Sequence, residues 1–194
     1  WDLARGEEIV REFLPYVQGD ERKALIERFL TVNEKFRQSF HEEFKSLRTS
    51  VIHGDCNDNN IIVTSSGAKD VPFLIDYGDM THSLTVAEVA IAAAYASLCT
   101  EDPLQSVKSV VQAYHEAFEL TVGEVLFVLP LIMLRLCVSC AISSRNAEEN
   151  ADNEYLQVSA SPAWQSLAFF DGLGAEEVLD FVEECFSFWF SSSD

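Results

Sequence analysis

Between His53 and Val63 the chain reads HGDCNDNNIIV, with two aspartates and three asparagines in positions 55 to 60 and then an apolar, β-branched run. Three kinds of chemistry use such a stretch: oxygen ligands for calcium, a hydrogen-bonded polar turn, or the catalytic loop of a phosphoryl-transfer enzyme. An EF-hand loop starting at Asp55 matches at Asn57 and Asn59. It then needs Gly at its sixth place and a bidentate Glu at its twelfth, where this chain has Asn60 and Ser66. That mismatch excludes it. A polar turn stays open, because Asn and Asp close turns on their own backbone.

Phosphoryl transfer asks for one carboxylate to accept or orient the proton of an attacking hydroxyl and for further oxygen ligands to hold Mg²⁺ against the phosphates. In H-G-D-x-x-x-x-N, Asp55 and Asn60 have the spacing of such a base and such an amide ligand, and a second Asp should follow after a hairpin. Asp76 does so, in FLIDYGD, where an apolar strand carries a carboxylate to its end just before a Gly turn. Either half alone is a weak signal; the ordered pair is specific.

VIHGDCNDNNIIV followed by FLIDYGD resembles the catalytic and metal-binding motifs of the aminoglycoside phosphotransferase and choline kinase superfamily, relatives of protein kinases in which His-Gly-Asp replaces His-Arg-Asp. The resemblance implies Asp55 as catalytic base, Asn60 and Asp76 as Mg²⁺ and nucleotide-phosphate ligands, and His53 as a brace for the loop. Asp79 either orients the site or finishes a turn. With WDL at the start, IDYGDMTHSLTVAEVAIAAAYA in the middle and NEYLQVSASPAW near the end, most of the chain is similar to the hydroxylysine kinase branch and to kinase modules fused to class III aminotransferases. What this implies is transfer of the γ-phosphate of GTP or ATP to a small cationic or zwitterionic hydroxy-amine, 5-hydroxylysine above all. The alternative is a non-catalytic amine-binding or regulatory lobe.

Complete members of the superfamily open with a small lobe bearing a glycine-rich loop and a phosphate lysine. No G-x-G-x-x-G occurs here, and Lys69 lies in the wrong turn. The expectation is a protein-kinase-like large (C-terminal) lobe over residues 1–194, α+β in class, mainly helical with a small hairpin sheet. As a fragment, partial gene product or degenerate descendant, it would expose an apolar edge near Trp1, Leu3 and the 50 to 76 sheet, where the absent small lobe belongs, and would be inactive alone.

Composition limits the partners. Thirteen basic against 32 acidic residues give a formal charge of -19, which repels a phosphate backbone and excludes nucleic acid while suiting an ammonium-bearing ligand. An odd number of cysteines among apolar neighbours, with no secretory signal, indicates a reduced, cytoplasmic protein. Cys137 and Cys140 form a C-x-x-C with no second ligand pair, so buried thiols are expected. The apolar run from Val125 to Ile142 approaches the length of a membrane span, but Pro130 and Arg135 interrupt it, and a buried core helix is expected instead.

The elements that must position the site follow from periodicity and caps. Leu25, Phe29, Val32, Phe36, Phe40, Phe44 and Leu47 recur at helical steps behind Asp20 as N-cap, predicting one long helix to Arg48. Short β-like runs then place a small sheet over residues 50 to 76, and everything beyond Asp79 reads as helical: 85 to 99, 103 to 119, 122 to 145, 162 to 170 and 175 to 190. Thr85 with Glu88 and Thr121 with Glu124 read as capping boxes, and Asp102-Pro103 and Ser161-Pro162 as N-cap pairs. Arg135, alone in an apolar helix, either pairs with a core carboxylate such as Glu88 or grips the α-carboxylate of the substrate. Core packing is the expected role of Tyr155 and Trp164; His41, His82 and His115 show no ligand spacing.

Overall fold

The computed structural model describes residues 2–66, 69–149, 160–174, 177–178, 180–184 and 187. Helix α1 (Gly6–Phe13) follows a short 3₁₀ turn, and α2 (Asp20–Ser39) and α3 (His41–Lys45) lead into β1 (Thr49–Ile52). Strands β2 (Ile61–Ser66), β3 (Lys69–Leu74) and β4 (Thr81–Leu84) come next. Helices α4 (Thr85–Ala96), α5 (Pro103–Ala117), α6 (Val122–Glu149) and α7 (Ala160–Asp171) complete the core. An α+β, mostly helical architecture is thus present.

The expected single helix from Asp20 to Arg48 breaks at Phe40, whose backbone leaves the helical region (φ -115°, ψ 43°). The aromatic stripe continues across the break: Phe36 and Phe44 both meet the buried ring of Phe127 on α6, at centroid distances of 5.3 and 5.2 Å. A helical period survives such a break because the same side chains still reach the core. Gly19, at φ 90°, takes the cap position expected for Asp20, which is the first helical residue.

The expected single sheet is two separate two-stranded ones. β1 pairs antiparallel with β4, Thr49 opposite Leu84 and Ile52 opposite Thr81. β2 pairs with β3, Ile61 opposite Leu74 through to Ser66 opposite Lys69. Strand β4 was expected to be helical; four residues are too few to declare a period, and their partner lies some thirty residues upstream.

Helix α6 passes through Pro130 and buries most of its apolar length against α1, α4 and α7, so its hydropathy belongs to a core helix. Cys137 and Cys140 are fully buried there, and burial pushes both thiols well above their ordinary range. Asp102 caps α5 through the Gln105 amide. Thr121 and Glu124 form the reciprocal box: the Glu124 amide donates to Thr121 Oγ1 and the Thr121 amide to Glu124 Oε2. Helix α7 starts one residue before Ser161. Trp164 is buried under the Arg22 guanidinium, 4.9 Å from the ring centroid. Tyr155 lies outside the described residues, as does part of the helix expected at 175 to 190; residues 180–184 are helical. Leu3 is only 2% exposed and belongs to the core, which corrects its place on an apolar edge; Trp1 lies outside the described residues.

Candidate active site

The β1–β4 ladder brings the two motifs together. Residues 53–80 leave the core at the end of β1 and return at the start of β4, so HGDCNDNN and IDYGD stand side by side at the mouth of the same excursion. Its first turn is set by Gly54, whose φ of +80° is a left-handed conformation that favours glycine. A Cβ there would stand 3.1 Å from the Asp79 carbonyl oxygen, so the glycine also lets the two motif backbones approach.

Buried His53 ties both motifs with its two ring nitrogens. Nε2 lies 2.9 Å from the Ile75 carbonyl, and Nδ1 accepts from the Asp55 amide at 3.3 Å. The neutral tautomer with its proton on Nε2 satisfies both contacts at once. The same residue's backbone amide donates to Glu88 Oε2 at 2.5 Å, and the Gly54 amide donates to that oxygen at 3.3 Å.

The polar run is a hydrogen-bonded turn and a site scaffold together. Asn57 Oδ1 accepts from the Asn59 and Asn60 amides at 2.9 and 3.2 Å, closing the turn on its own backbone. Asn57 Nδ2 then donates to Asp55 Oδ2 at 3.0 Å. Asn60 Nδ2 donates to the Asp55 backbone carbonyl at 2.8 Å and to Oδ2 at 3.1 Å. From the other side Arg135 Nη2 donates to Asp55 Oδ1 at 2.8 Å. Both oxygens of Asp55 are thereby fixed in direction.

Asp76 arrives through the β2–β3 hairpin, whose base is closed by the Ile75 amide donating to the Asn60 carbonyl at 2.9 Å. It has φ 61° and ψ 67°, left-handed for a non-glycine residue, and its exposed carboxylate makes one long contact with the Gly78 amide at 3.4 Å. Asp tolerates this conformation better than most residues, and such strain gathers at functional sites. Asn60 spends its amide nitrogen on Asp55, so its carbonyl is the oxygen left for a cation. An amide oxygen and a carboxylate are donors suited to a hard, oxygen-loving ion such as Mg²⁺. Asp79 is half-buried in the 3₁₀ turn Tyr77–Asp79, and its backbone is the part that meets Gly54.

A family model described as the phosphotransferase enzyme family matches residues 1–126. The chain belongs to this family. Among curated relatives, the hydroxylysine kinase of Mus musculus is 23% identical over 185 residues, 92% of this chain and 48% of that protein. The hydroxylysine kinase of Xenopus laevis is 25% identical over 202 residues, covering 100% and 51%. This phosphotransferase-family chain therefore spans about half the length of the curated relatives it matches. No solved structure matches it significantly. The resemblance read from the two motifs, to the superfamily and to its hydroxylysine kinase branch, is met by both comparisons.

Around the candidate site, three placements differ from expectation or were missed. Arg135 pairs with Asp55, eighty residues away in sequence, and with the hydroxyl of Tyr95 at 2.8 Å, not with Glu88. Glu88 does not cap its own helix, which begins at Thr85 behind an uncapped Leu84; Thr85 Oγ1 donates to Ser50 Oγ at 2.9 Å instead. The signal for Glu88 and Tyr95 was present: beyond Thr85 they are the polar residues of an otherwise apolar, alanine-rich helix, seven residues apart and hence on one face of α4. Finally, Arg48 anchors β1 by donating to both oxygens of buried Glu124 and to the Glu119 carbonyl. Burial pushes the Glu124 carboxyl up, but the Arg48 hydrogen bonds, the Thr121 amide and the guanidinium charge together hold it below its ordinary range.

Proposed function

We propose that this chain carries the acceptor and metal half of a small-molecule kinase, which transfers the γ-phosphate of GTP or ATP to the hydroxyl of a hydroxy-amine, with 5-hydroxylysine as the foremost acceptor. The observation that carries the reading is the convergence of Asp55, Asn60 and Asp76 at one mouth, with Asn60 bonded to Asp55 through its side chain and to the strand end beside Asp76 through its backbone. Asp55 takes or orients the acceptor's proton, and Asn60 and Asp76 hold the cation. Mg²⁺, when bound, neutralises charge on the phosphates. His53 keeps the two motifs in register. The mouse and Xenopus relatives, named hydroxylysine kinases, support the choice of acceptor, and the charge of -19 favours an ammonium-bearing one.

The remaining half of the relatives' length supplies the nucleotide clamp in this reading. The β2–β3 hairpin offers it a face: Ile62, Val71 and Phe73 lie on one side of the ladder and are 46%, 41% and 52% exposed. An apolar patch of this kind marks a surface meant to be covered. The test is phosphate transfer from GTP or ATP to 5-hydroxylysine in the presence of Mg²⁺, with the full-length protein and with residues 1–194 alone. Transfer by the former and none by the latter is expected; an active full-length protein that ignores hydroxy-amines would overturn the acceptor, and one that transfers no phosphate would overturn the reading.

A further inference from the structure

Beside Asp55 lies a cavity of about 310 Å³, at the small end of ligand sites. Among the described residues its charged lining consists of one carboxylate, Asp55, and one guanidinium, Arg135. Tyr95 forms one wall, and Ser139 and Ile142, one and two turns beyond Arg135 on α6, form another. A cavity that recognised its ligand by ammonium groups alone would need carboxylates to receive them. The described lining offers a cation beside its one carboxylate.

Arg135 is 6% exposed, and its Nη2 donates to both Asp55 Oδ1 and the Tyr95 hydroxyl. Its buried Nε–H has no partner among the described residues. Unpaired buried donors are rare in native proteins and each calls for an explanation. Holding Asp55 in place does not supply one, because Nη2 alone performs that task. The Tyr95 oxygen accepts from Arg135, so its own proton remains available to donate as well. Arg135 and Tyr95, each with a donor to spare, therefore line the cavity together, next to the base.

We propose that these donors receive the carboxylate of the acceptor, so that the cavity selects zwitterionic hydroxy acids over amino alcohols that lack a carboxylate. This rests on reading the cavity as the acceptor site of a kinase. A carboxylate meets a guanidinium with charge-assisted hydrogen bonds, and the ammonium groups of a zwitterion offset the repulsion that a chain of charge -19 would exert on a plain anion. The hydroxyl then lies toward Asp55, which borders the same cavity.

The probes are 5-hydroxylysine and its decarboxylated analogue, which keeps the hydroxyl and both amines, titrated into the 194-residue chain by calorimetry. The analogue should bind about 10- to 100-fold more weakly, the worth of a charge-assisted hydrogen bond, and the Arg135 Nε–H resonance should shift with 5-hydroxylysine and not with the analogue. Arg135→Gln should erase the preference and Arg135→Lys should restore part of it. Equal affinities in the parent chain, no binding of either probe at millimolar concentration, or a preference that survives in a natively folded Arg135→Gln would each overturn the proposal. The parent titrations decide it even if the variants do not fold. Mg²⁺-dependent phosphate transfer by the full-length protein reports on the kinase reading separately: equal affinities beside intact transfer defeat only the carboxylate preference.

Discussion

Replacing Glu88 tests whether a carboxylate on a core helix holds the HGDCNDNN loop. One oxygen, Oε2, accepts from the amides of His53 and Gly54, both of which are buried. Glu88→Ala leaves two buried amides without a partner, and at about 1–3 kcal/mol for each unsatisfied group, reduced because Glu88 is itself partly open to water, the loss should be roughly 2–4 kcal/mol. At about 2–4 °C per kcal/mol for a domain of this size, the Tm should fall by roughly 4–16 °C. Glu88→Gln keeps an acceptor and loses only the charge, so it should cost about 1–2 kcal/mol. If Thr85 and Glu88 acted as a capping box, Thr85→Ala would be as damaging as Glu88→Ala; the structure instead gives Thr85 one hydroxyl contact with Ser50, worth about 1 kcal/mol. Thermal and urea denaturation measure the ranking, and hydrogen exchange at the His53 and Gly54 amides reports the site directly. A Glu88→Ala chain with a Tm within about 2 °C of the parent, and with those amides still protected, would refute the reasoning.

Gly54→Ala combines a left-handed backbone with a close approach to Asp79, so it should cost about 1–3 kcal/mol in denaturant titrations and displace Asp55. In the full-length protein, Asp55→Asn should lower turnover about 10²- to 10⁴-fold with little change in nucleotide affinity, while Asp76→Ala should remove Mg²⁺-dependent nucleotide binding; steady-state kinetics and metal titration check the pair. Glu124 has a depressed carboxyl when folded, so its stabilisation is present above its ordinary value of 4.5 and is lost as pH falls through the lower folded value. The destabilisation caused by Arg48→Met should therefore shrink as denaturation is repeated from neutral pH down into that acid range. Ile62→Ser with Phe73→Ser should reduce binding of a hydrophobic dye and self-association by residues 1–194 without lowering Tm, because both side chains are exposed.

Local chemistry was legible in the sequence where a few neighbouring residues decide the outcome. Asp102 before Pro103 and Thr121 with Glu124 need only their own turns to act as caps, and the paired motifs of Asp55, Asn60 and Asp76 depend on one hairpin. What stayed hidden depends on distant partners. Glu88 satisfies a capping pattern in sequence, yet its carboxylate goes to amides thirty-five residues upstream. Arg135 advertised itself as a buried cation, but the helix that contains it says nothing about which carboxylate faces it. Strand β4 exists because β1 offers it a ladder. The break at Phe40 leaves no trace in the hydrophobic period, since Phe36 and Phe44 still meet Phe127.

The short β1–β4 ladder, with Ile52 opposite Thr81, makes a neck through which the whole excursion of residues 53–80 must pass. A loop held closed at its root has already lost the entropy of bringing its ends together, and that cost grows only slowly with its length. The outer β2–β3 hairpin can therefore change in sequence or length while the helices beneath it remain folded. Change in the outer hairpin then carries little risk to the body that holds it.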